Sequence, residues 1–386
     1  MEVIPINEDK YLEAIRLSEY AFQYKVPKED IEEIMEMLKK QQVIGFLDEK
    51  QLVAKLHLLS LQVYLGDDLL KMGGIAGVAT YPEYRRNGYV KEMLIHILEQ
   101  LKKDEFRISM LFPFSVPFYR KFGWELFSNK QTVTMTKSDL MFQREATGTV
   151  KRSQEGQVAD LAIVYTQYAT KLFGMLHRDH DWWRKLVKDQ QMAIYYDTMK
   201  VAKGYIIYTV QDKKMKVKEF VALGGDARRG LWNFICQHDS MINELEMVLH
   251  ERDPLLFSLK EPRVKQELTP YFMARIVDVK PFLEEYPFHW KNATKETNIL
   301  IKVTDEYAPW NNQVFEVKPN TINIIPYPNT EEKLISLSIN TLTTLLLGYQ
   351  KASELKELER ISGDELALEQ LDQLIPKKVP YFYDFF

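Results

Sequence analysis

Apolar side chains recur at helical spacing in two short segments near the start of the chain. Tyr11, Leu12, Ile15 and Phe22 form one stripe behind Asn7, which is placed to cap the helix, and Glu19 falls on the same stripe. Ile31, Ile34, Met35 and Leu38 form a second stripe after Pro27. Residues 42–80 then read as three strands, with turns at Asp48-Glu49-Lys50 and Gly66-Asp67-Asp68. This predicts an antiparallel meander ending in GGIAGVAT. YPEYRRNGYV follows, and then a helix whose buried face is Val90, Met93, Leu94, Ile97, Leu98 and Leu101. A strand over 106–112, a short helix over 116–121 and a strand from Trp124 to Met135 complete a mixed α/β unit.

The region 150–285 predicts helices over 154–173 and 231–250, and strands over 192–198, 203–210 and 215–222. A weak internal repeat joins it to the first unit. Val78-Ala79-Thr80 precedes Arg85-Arg86-Asn87-Gly88, and Val221-Ala222-Leu223 precedes Arg228-Arg229-Gly230, with the same offset from valine to arginine. Duplication of a strand–loop–helix unit and chance both fit so few matched letters. The last hundred or so residues predict strands over 299–304, 313–318, 321–326 and 334–339, then helices near 340–349 and 364–374. The tail KKVPYFYDFF is aromatic enough to require packing.

Composition narrows the function class. A chain of 386 residues is expected to hold two or three domains. Its 51 basic and 55 acidic side chains leave a net charge of −4 without a long basic run, which argues against a nucleic-acid partner. Cys236 is the single cysteine, so no disulfide can form within the chain; it reads as core, with a reactive thiol as the alternative. MEVIPINEDKYLEAI lacks the basic and apolar regions of a signal peptide. LISLSINTLTTLLLGY is too short and too interrupted to span a bilayer. A cytoplasmic protein with no membrane span is expected.

The junction YPEYRRNGYV carries the strongest chemical signal. A helix N-terminus presents unpaired N–H groups and partial positive charge, which together bind anions. Arg85 and Arg86 add charge-assisted donors, and Gly88 lets a ligand approach the backbone. Two arginines at this position oppose the helix dipole unless an anion is bound there. A pyrophosphate suits the combination.

VATYPEYRRNGYVKEML resembles the coenzyme-A loop of the GNAT acetyltransferase superfamily, although Val90 departs from the glycine or alanine usual at the last position. GGIAGVATYPEYRRNGYVKEML, FPFSVPFYRKFGWE and the chain length are more similar still to the enhanced-intracellular-survival (Eis) group. The resemblance implies tandem GNAT-like domains, at 1–147 and 148–285, followed by a sterol-carrier-protein-like α/β domain at 286–386. It implies acetyl-coenzyme A as co-substrate, bound by Val78, Ala79 and Thr80 along the strand, by Arg85, Arg86, Gly88 and Tyr89 in the loop, and by Phe114 and Ser115 opposite. The shorter second loop, at Arg228–Gly230, is expected not to bind it.

Acetyl transfer to an amine needs a proton acceptor for nitrogen and a donor for sulfur. From the residues alone Tyr119 reads as a core tyrosine beside Phe118 and Phe122; the resemblance implies that it is the general acid. No histidine stands out in the first unit, where His57 lies on a strand and His96 on the helix. The resemblance implies the C-terminal α-carboxylate, here that of Phe386, as general base. A free α-carboxyl has a pKa of roughly 3.3–3.7, low for this task unless burial raises it. Glu19, Phe22 and Asp384 are candidates for the acceptor pocket, Glu19 and Asp384 making it anionic. His177 and His180 in HRDH have helical spacing, but no further ligands are identifiable and no metal is expected. The implied acceptor is a small-molecule or peptide amine, aminoglycoside or lysine-like, and the implied assembly a homo-oligomer, a hexamer. Transfer of a longer acyl group, or lipid or acyl-coenzyme-A binding without catalysis, are the alternatives.

Overall fold

The computed structural model describes residues 2–153, 158–292, 297–319, 321–329 and 333–386, which form three sheets. The first is the meander the pattern predicts: Ile4–Pro5, Gln42–Asp48, Gln51–Leu65 and Asp68–Thr80 pair antiparallel in that order, and Ile108–Leu111 then joins parallel. On one face the helix Tyr89–Lys103 lays Met93, Leu94, Ile97, Leu98 and Leu101 against Leu56, Leu58 and Ile75. On the other, the helices Tyr11–Phe22 and Ile31–Lys39 cover Val43, Leu52 and Ala79 with Ala14, Leu17 and Leu38. Each fully buried side chain of this size contributes about 1.5–3 kcal/mol, so the layers on both faces fix the sheet that carries the Arg85–Gly88 loop.

The strand expected from Trp124 to Met135 is instead two strands in different sheets. Glu125–Leu126 remains in the first sheet, while Asn129–Thr136 pairs with Glu244–Leu249 in the second. Reciprocally, Met273–Ile276 leaves the second region and inserts between Ile108–Leu111 and Glu125–Leu126. The two crossings brace each other: Phe127 N–H donates to Phe272 O at 3.1 Å, and Tyr271 N–H to Ser128 O at 2.9 Å. Alternation breaks at Leu126-Phe127 and residues 128–132 are wholly polar, a break that the single expected strand ran across.

The second sheet runs Lys265–Pro270, Asn129–Thr136, Glu244–Leu249, Lys214–Ala222, Ala202–Gln211, Gln191–Tyr196, Thr149–Ser153. The helix expected over 231–250 is in fact Gly225–Cys236 followed by the strand Glu244–Leu249, whose Leu245, Met247 and Leu249 alternate inward. The helix expected over 154–173 is Ala159–Ala169; residues 154–157 lie outside the described ones, and Phe173 opens a strand, Phe173–Leu176, that pairs with Val63 and Leu65.

The third sheet orders Thr321–Ile325, Val314–Lys318, Ile299–Thr304, Leu334–Ser338 and Ile361–Gly363, close to expectation, with helices Ile339–Leu346, Ala352–Glu357 and Glu365–Leu374. It docks tightly on the first sheet. Asn340 Nδ2 donates to Arg120 O and Trp124 O at 2.9 and 3.0 Å, and the fully buried Arg275 pairs with Asp305 at 2.6 Å.

Candidate active site

The parallel ladder between Asp68–Thr80 and Ile108–Leu111 ends at Ile75–Leu111, and the strands part beyond it. One lip of the opening carries Val78, Ala79 and Thr80; the other carries Phe114, whose ring is largely exposed, and Ser115. Across the pairing with Gln51–Leu65 the register slips between Lys55 and His57, so a bulge forms at Gly77, which takes a left-handed φ of 56°. Thr80 Oγ1 is buried without a hydrogen-bond partner among the described residues, so this lip has an unused polar atom to offer a bound chain.

Below the lip, Arg86 (φ 66°) and Gly88 (φ 87°) adopt left-handed conformations, and Gly88 occupies the N-cap of Tyr89–Lys103 without a capping side chain. The N–H groups of the first turn therefore have no intrahelical partner. Arg85, Arg86 and Gly88 are exposed, Tyr89 is half-buried, and neither guanidinium forms an ion pair with a described residue. The supposed second copy is different. Arg228 and Arg229 lie within the helix Gly225–Cys236 and are already paired, with Asp253 at 3.2 Å and Asp226 at 2.6 Å.

Tyr119 projects from the short helix Val116–Lys121 and is almost fully buried, its ring edge-on to Phe114 and Trp124. Burial pushes its hydroxyl far above the ordinary tyrosine value, so it stays protonated at neutral pH.

The end of the chain threads between the domains. Phe173 N–H donates to Val379 O, Tyr381 N–H to Phe173 O, and Tyr271 OH to Asp384 O. The Phe386 ring lies on Gly74, just before the point of divergence: a Cβ there would come within 2.9 Å of it. Tyr381 and Phe382 are buried, but Phe385 is 63 % exposed, so the tail is not wholly packed as expected.

Asp384 does line the cavity, but not as a free anion. Arg178 Nε donates to it at 2.9 Å and Trp182 Nε1 at 2.7 Å. The same guanidinium pairs with Glu219, which also accepts from Tyr205 OH at 2.7 Å, and lies over the Tyr165 and Trp183 rings. Burial raises the Asp384 carboxyl, Arg178 opposes this and Glu219 adds to it. Glu19 is not part of the cavity wall. Its carboxylate turns back to accept Val26 N–H at 2.9 Å and pairs with Arg16, and the Val26 bond chiefly holds it below the usual range. Phe22 does face the cavity, half exposed.

That cavity measures about 820 Å³ and is walled by the first domain (Phe22, His57, Gly77), the second (Lys130, Lys218, Glu219) and the tail (Tyr383 to Phe386). At its edge is a group that sequence reasoning passed over. Lys55 Nζ is wholly buried, 2.7 Å from His57 Nε2 and 3.1 Å from Gly77 O, and His57 Nδ1 is 3.1 Å from Gln41 Oε1. The available signal was the polar pair Lys55 and His57 on one face of an otherwise apolar strand.

The remaining candidates are structural. Cys236 is buried, its thiol pushed up to about 12 by burial. Among the described residues no group of His, Cys, Asp and Glu could hold a metal, and no helix is long and apolar enough to cross a membrane.

The profile of the acetyltransferase (GNAT) domain matches residues 2–127, a second acetyltransferase (GNAT) domain profile matches 174–276, and that of the sterol carrier protein domain matches 279–383. N-acetyltransferase Eis of Mycobacterium tuberculosis is 23 % identical over 333 residues, covering 82 % of this chain and 80 % of that protein. The crystal structure of a probable N-acyltransferase from Enterococcus faecalis superposes with a TM-score of 0.92 at 28 % identity, over 100 % of this chain and 99 % of the other. Eis1 from Mycobacterium abscessus has the same fold, with a TM-score of 0.83 at 18 % identity over 100 % of both chains. Two GNAT domains and a sterol-carrier-protein-like domain define an acyltransferase of the GNAT superfamily. Within that superfamily the chain is similar to the Eis N-acetyltransferases.

Proposed function

We propose that the enzyme moves an acetyl group from acetyl-coenzyme A to a primary amine by direct attack. The observation that supports this reading is the opening beyond Ile75–Leu111: the strands part beside a helix start with two exposed arginines, and the Phe386 ring lies on Gly74 at the cavity wall. Arg85, Arg86, Gly88 and Tyr89 would hold the pyrophosphate. The backbone of Val78 to Thr80 would pair with the pantetheine arm, Thr80 Oγ1 supplying a further partner, with Phe114 and Ser115 on the opposite lip. As the C–N bond forms, the Phe386 α-carboxylate takes a proton from nitrogen. As the C–S bond breaks, Tyr119 gives its proton to the departing sulfur. The acceptor class is an aminoglycoside or lysine-like amine, met by a wall in which Arg178 offsets part of the charge of Glu219 and Asp384. We place the enzyme in the cytoplasm as a homo-oligomer, a hexamer.

Adding one glycine after Phe386 tests the reading. The carboxylate then moves by up to about 3.3–3.6 Å, beyond hydrogen-bond reach of a correctly placed amine. Thiol release from acetyl-coenzyme A should fall at least ~10²-fold with cofactor affinity unchanged. Normal turnover by the extended chain would leave Phe386 with a packing role alone.

A further inference from the structure

Lys55 takes no part in the chemistry above, yet its position is costly. An ammonium removed from water needs a compensating charge, and buried lysines normally have one. Lys55 has none among the described residues: its neighbours are an imidazole nitrogen and a carbonyl oxygen, both neutral. The nearby acids are committed elsewhere. On the covering helix, Glu13 accepts from Lys10 and from Leu52 N–H, and Glu19 from Arg16 and Val26 N–H. Across the cavity Glu219 and Asp384 share Arg178, and the other ionic groups there are Lys130, Lys185, Lys218 and the α-carboxylate of Phe386.

The surroundings therefore favour a neutral amine at Lys55, and burial lowers its pKa to about 7. His57 is held neutral, its imidazole pushed well below the ordinary value by burial and then by the charge that Lys55 carries when protonated. In the fraction with Lys55 unprotonated, the two bases in contact form a directed pair. Gln41 Oε1 can only accept, so His57 Nδ1–H donates to it and Nε2 accepts from Lys55 Nζ; only the Nδ1 end looks toward the cavity that His57, Gln41 and Gly77 help to line. His57 also lies opposite Ala76, one residue past the last rung of the ladder, and its ring packs on Gly77.

We propose that Lys55 and His57 together remove the proton that makes the incoming amine an ammonium, a step that precedes acetyl transfer. The inference rests on the transferase reading and adds a step to it, because a protonated amine has no lone pair to attack with. With Gln41 displaced by the substrate, the neutral imidazole exchanges tautomer through water so that Nε2–H donates to the lone pair of Lys55 Nζ, and the substrate ammonium gives one proton to the freed Nδ1. His57 releases the proton on Nε2 to the lone pair of Lys55 Nζ. The ammonium becomes a neutral amine, Lys55 becomes an ammonium, the imidazole ends neutral in its other tautomer, and only N–H bonds change. Lys55 then returns its proton by the same route to water after the product leaves. The α-carboxylate of Phe386 remains free for the second proton, lost as the C–N bond forms. His57 is the catalytic residue of this step and Lys55 acts through it.

The experiment uses the full chain with acetyl-coenzyme A and 1,5-diaminopentane, reading thiol release against pH, with the His57 imidazole followed by NMR. His57→Gln should lower kcat/KM for the diamine at least ~10²-fold at neutral pH, leaving KM for acetyl-coenzyme A unchanged. Lys55→Met keeps the length and loses the base. It should lower the plateau of the kcat/KM profile and move its acid limb toward lower pH, and the NMR titration of His57 should move with Lys55. A merely structural Lys55 would leave both the limb and the imidazole titration where they are, and that result overturns the proposal, as does wild-type turnover by His57→Gln. Failure of the transferase reading is distinguishable, because the unsubstituted protein would then release no thiol while the imidazole titration still reports on the pair.

Discussion

Arg178 stands between two acids and two aromatic rings, and all five side chains are largely withdrawn from water. A buried pair of this kind adds little net stability over a hydrophobic substitute, but removing one partner leaves the others uncompensated, at a cost of about 3–5 kcal/mol. Arg178→Leu is therefore expected to lose that much in urea unfolding at neutral pH. The loss should depend on pH with a definite sign. Asp384 is already raised by burial and by Glu219, and without Arg178 the Trp182 hydrogen bond is the remaining cause that opposes them. A carboxyl raised in the folded state stabilises the fold while protonated, and that stability disappears as pH rises through the raised value. The variant should be least impaired near the ordinary carboxylate value of ~4 and most impaired at neutrality, and unfolding midpoints across that range check it. At this scale the sequence was legible in part. HRDH drew notice for its two histidines, whereas the residue that organises the site is the arginine between them, and only the fold brings Glu219 and Asp384 to it. Lys55 and His57 were visible as polar breaks in a strand, but depth of burial is not written in alternation.

Short elements decide where the cofactor and the tail meet. Gly74 has an ordinary backbone, so its role is steric: the Phe386 ring and Leu61 occupy the space that a side chain would need. Gly74→Val should displace the terminal ring and reduce turnover while cofactor binding survives, and paired calorimetry and thiol-release assays read the two effects separately. The loop before Tyr89–Lys103 is expected to behave in the opposite way. Arg85→Ala and Arg86→Ala should each weaken coenzyme-A binding by about 1.5–3 kcal/mol, since charge-assisted hydrogen bonds are lost; unchanged affinity in the double variant would remove the loop from the site. This element could be read from the sequence because its cause is local: strand, two arginines, a glycine and a helix start are consecutive. The run expected as one helix over 231–250 failed for the converse reason. The strand Glu244–Leu249 exists because Lys214–Ala222 and Asn129–Thr136 flank it, and neither neighbour is near it in sequence.

Across the whole molecule, the order of two GNAT-like domains and a third α/β domain was legible from resemblance, while the exchange of strands between the first two was not. The exchange has a thermodynamic signature. Neither sheet is complete without a strand delivered by the other region, so the two should melt together, and calorimetry should show one transition for them rather than two. It also imposes a timetable on synthesis. Ile108–Leu111 leaves the ribosome with its outer edge open, and Met273–Ile276, the strand that closes it, follows more than 160 residues later. Through that interval the nascent chain presents an unpaired apolar edge, the kind of surface that recruits chaperones or aggregates. Slowing translation anywhere between those two strands would lengthen the exposure, so the yield of folded enzyme from a cell is governed partly by codons that encode no part of that sheet.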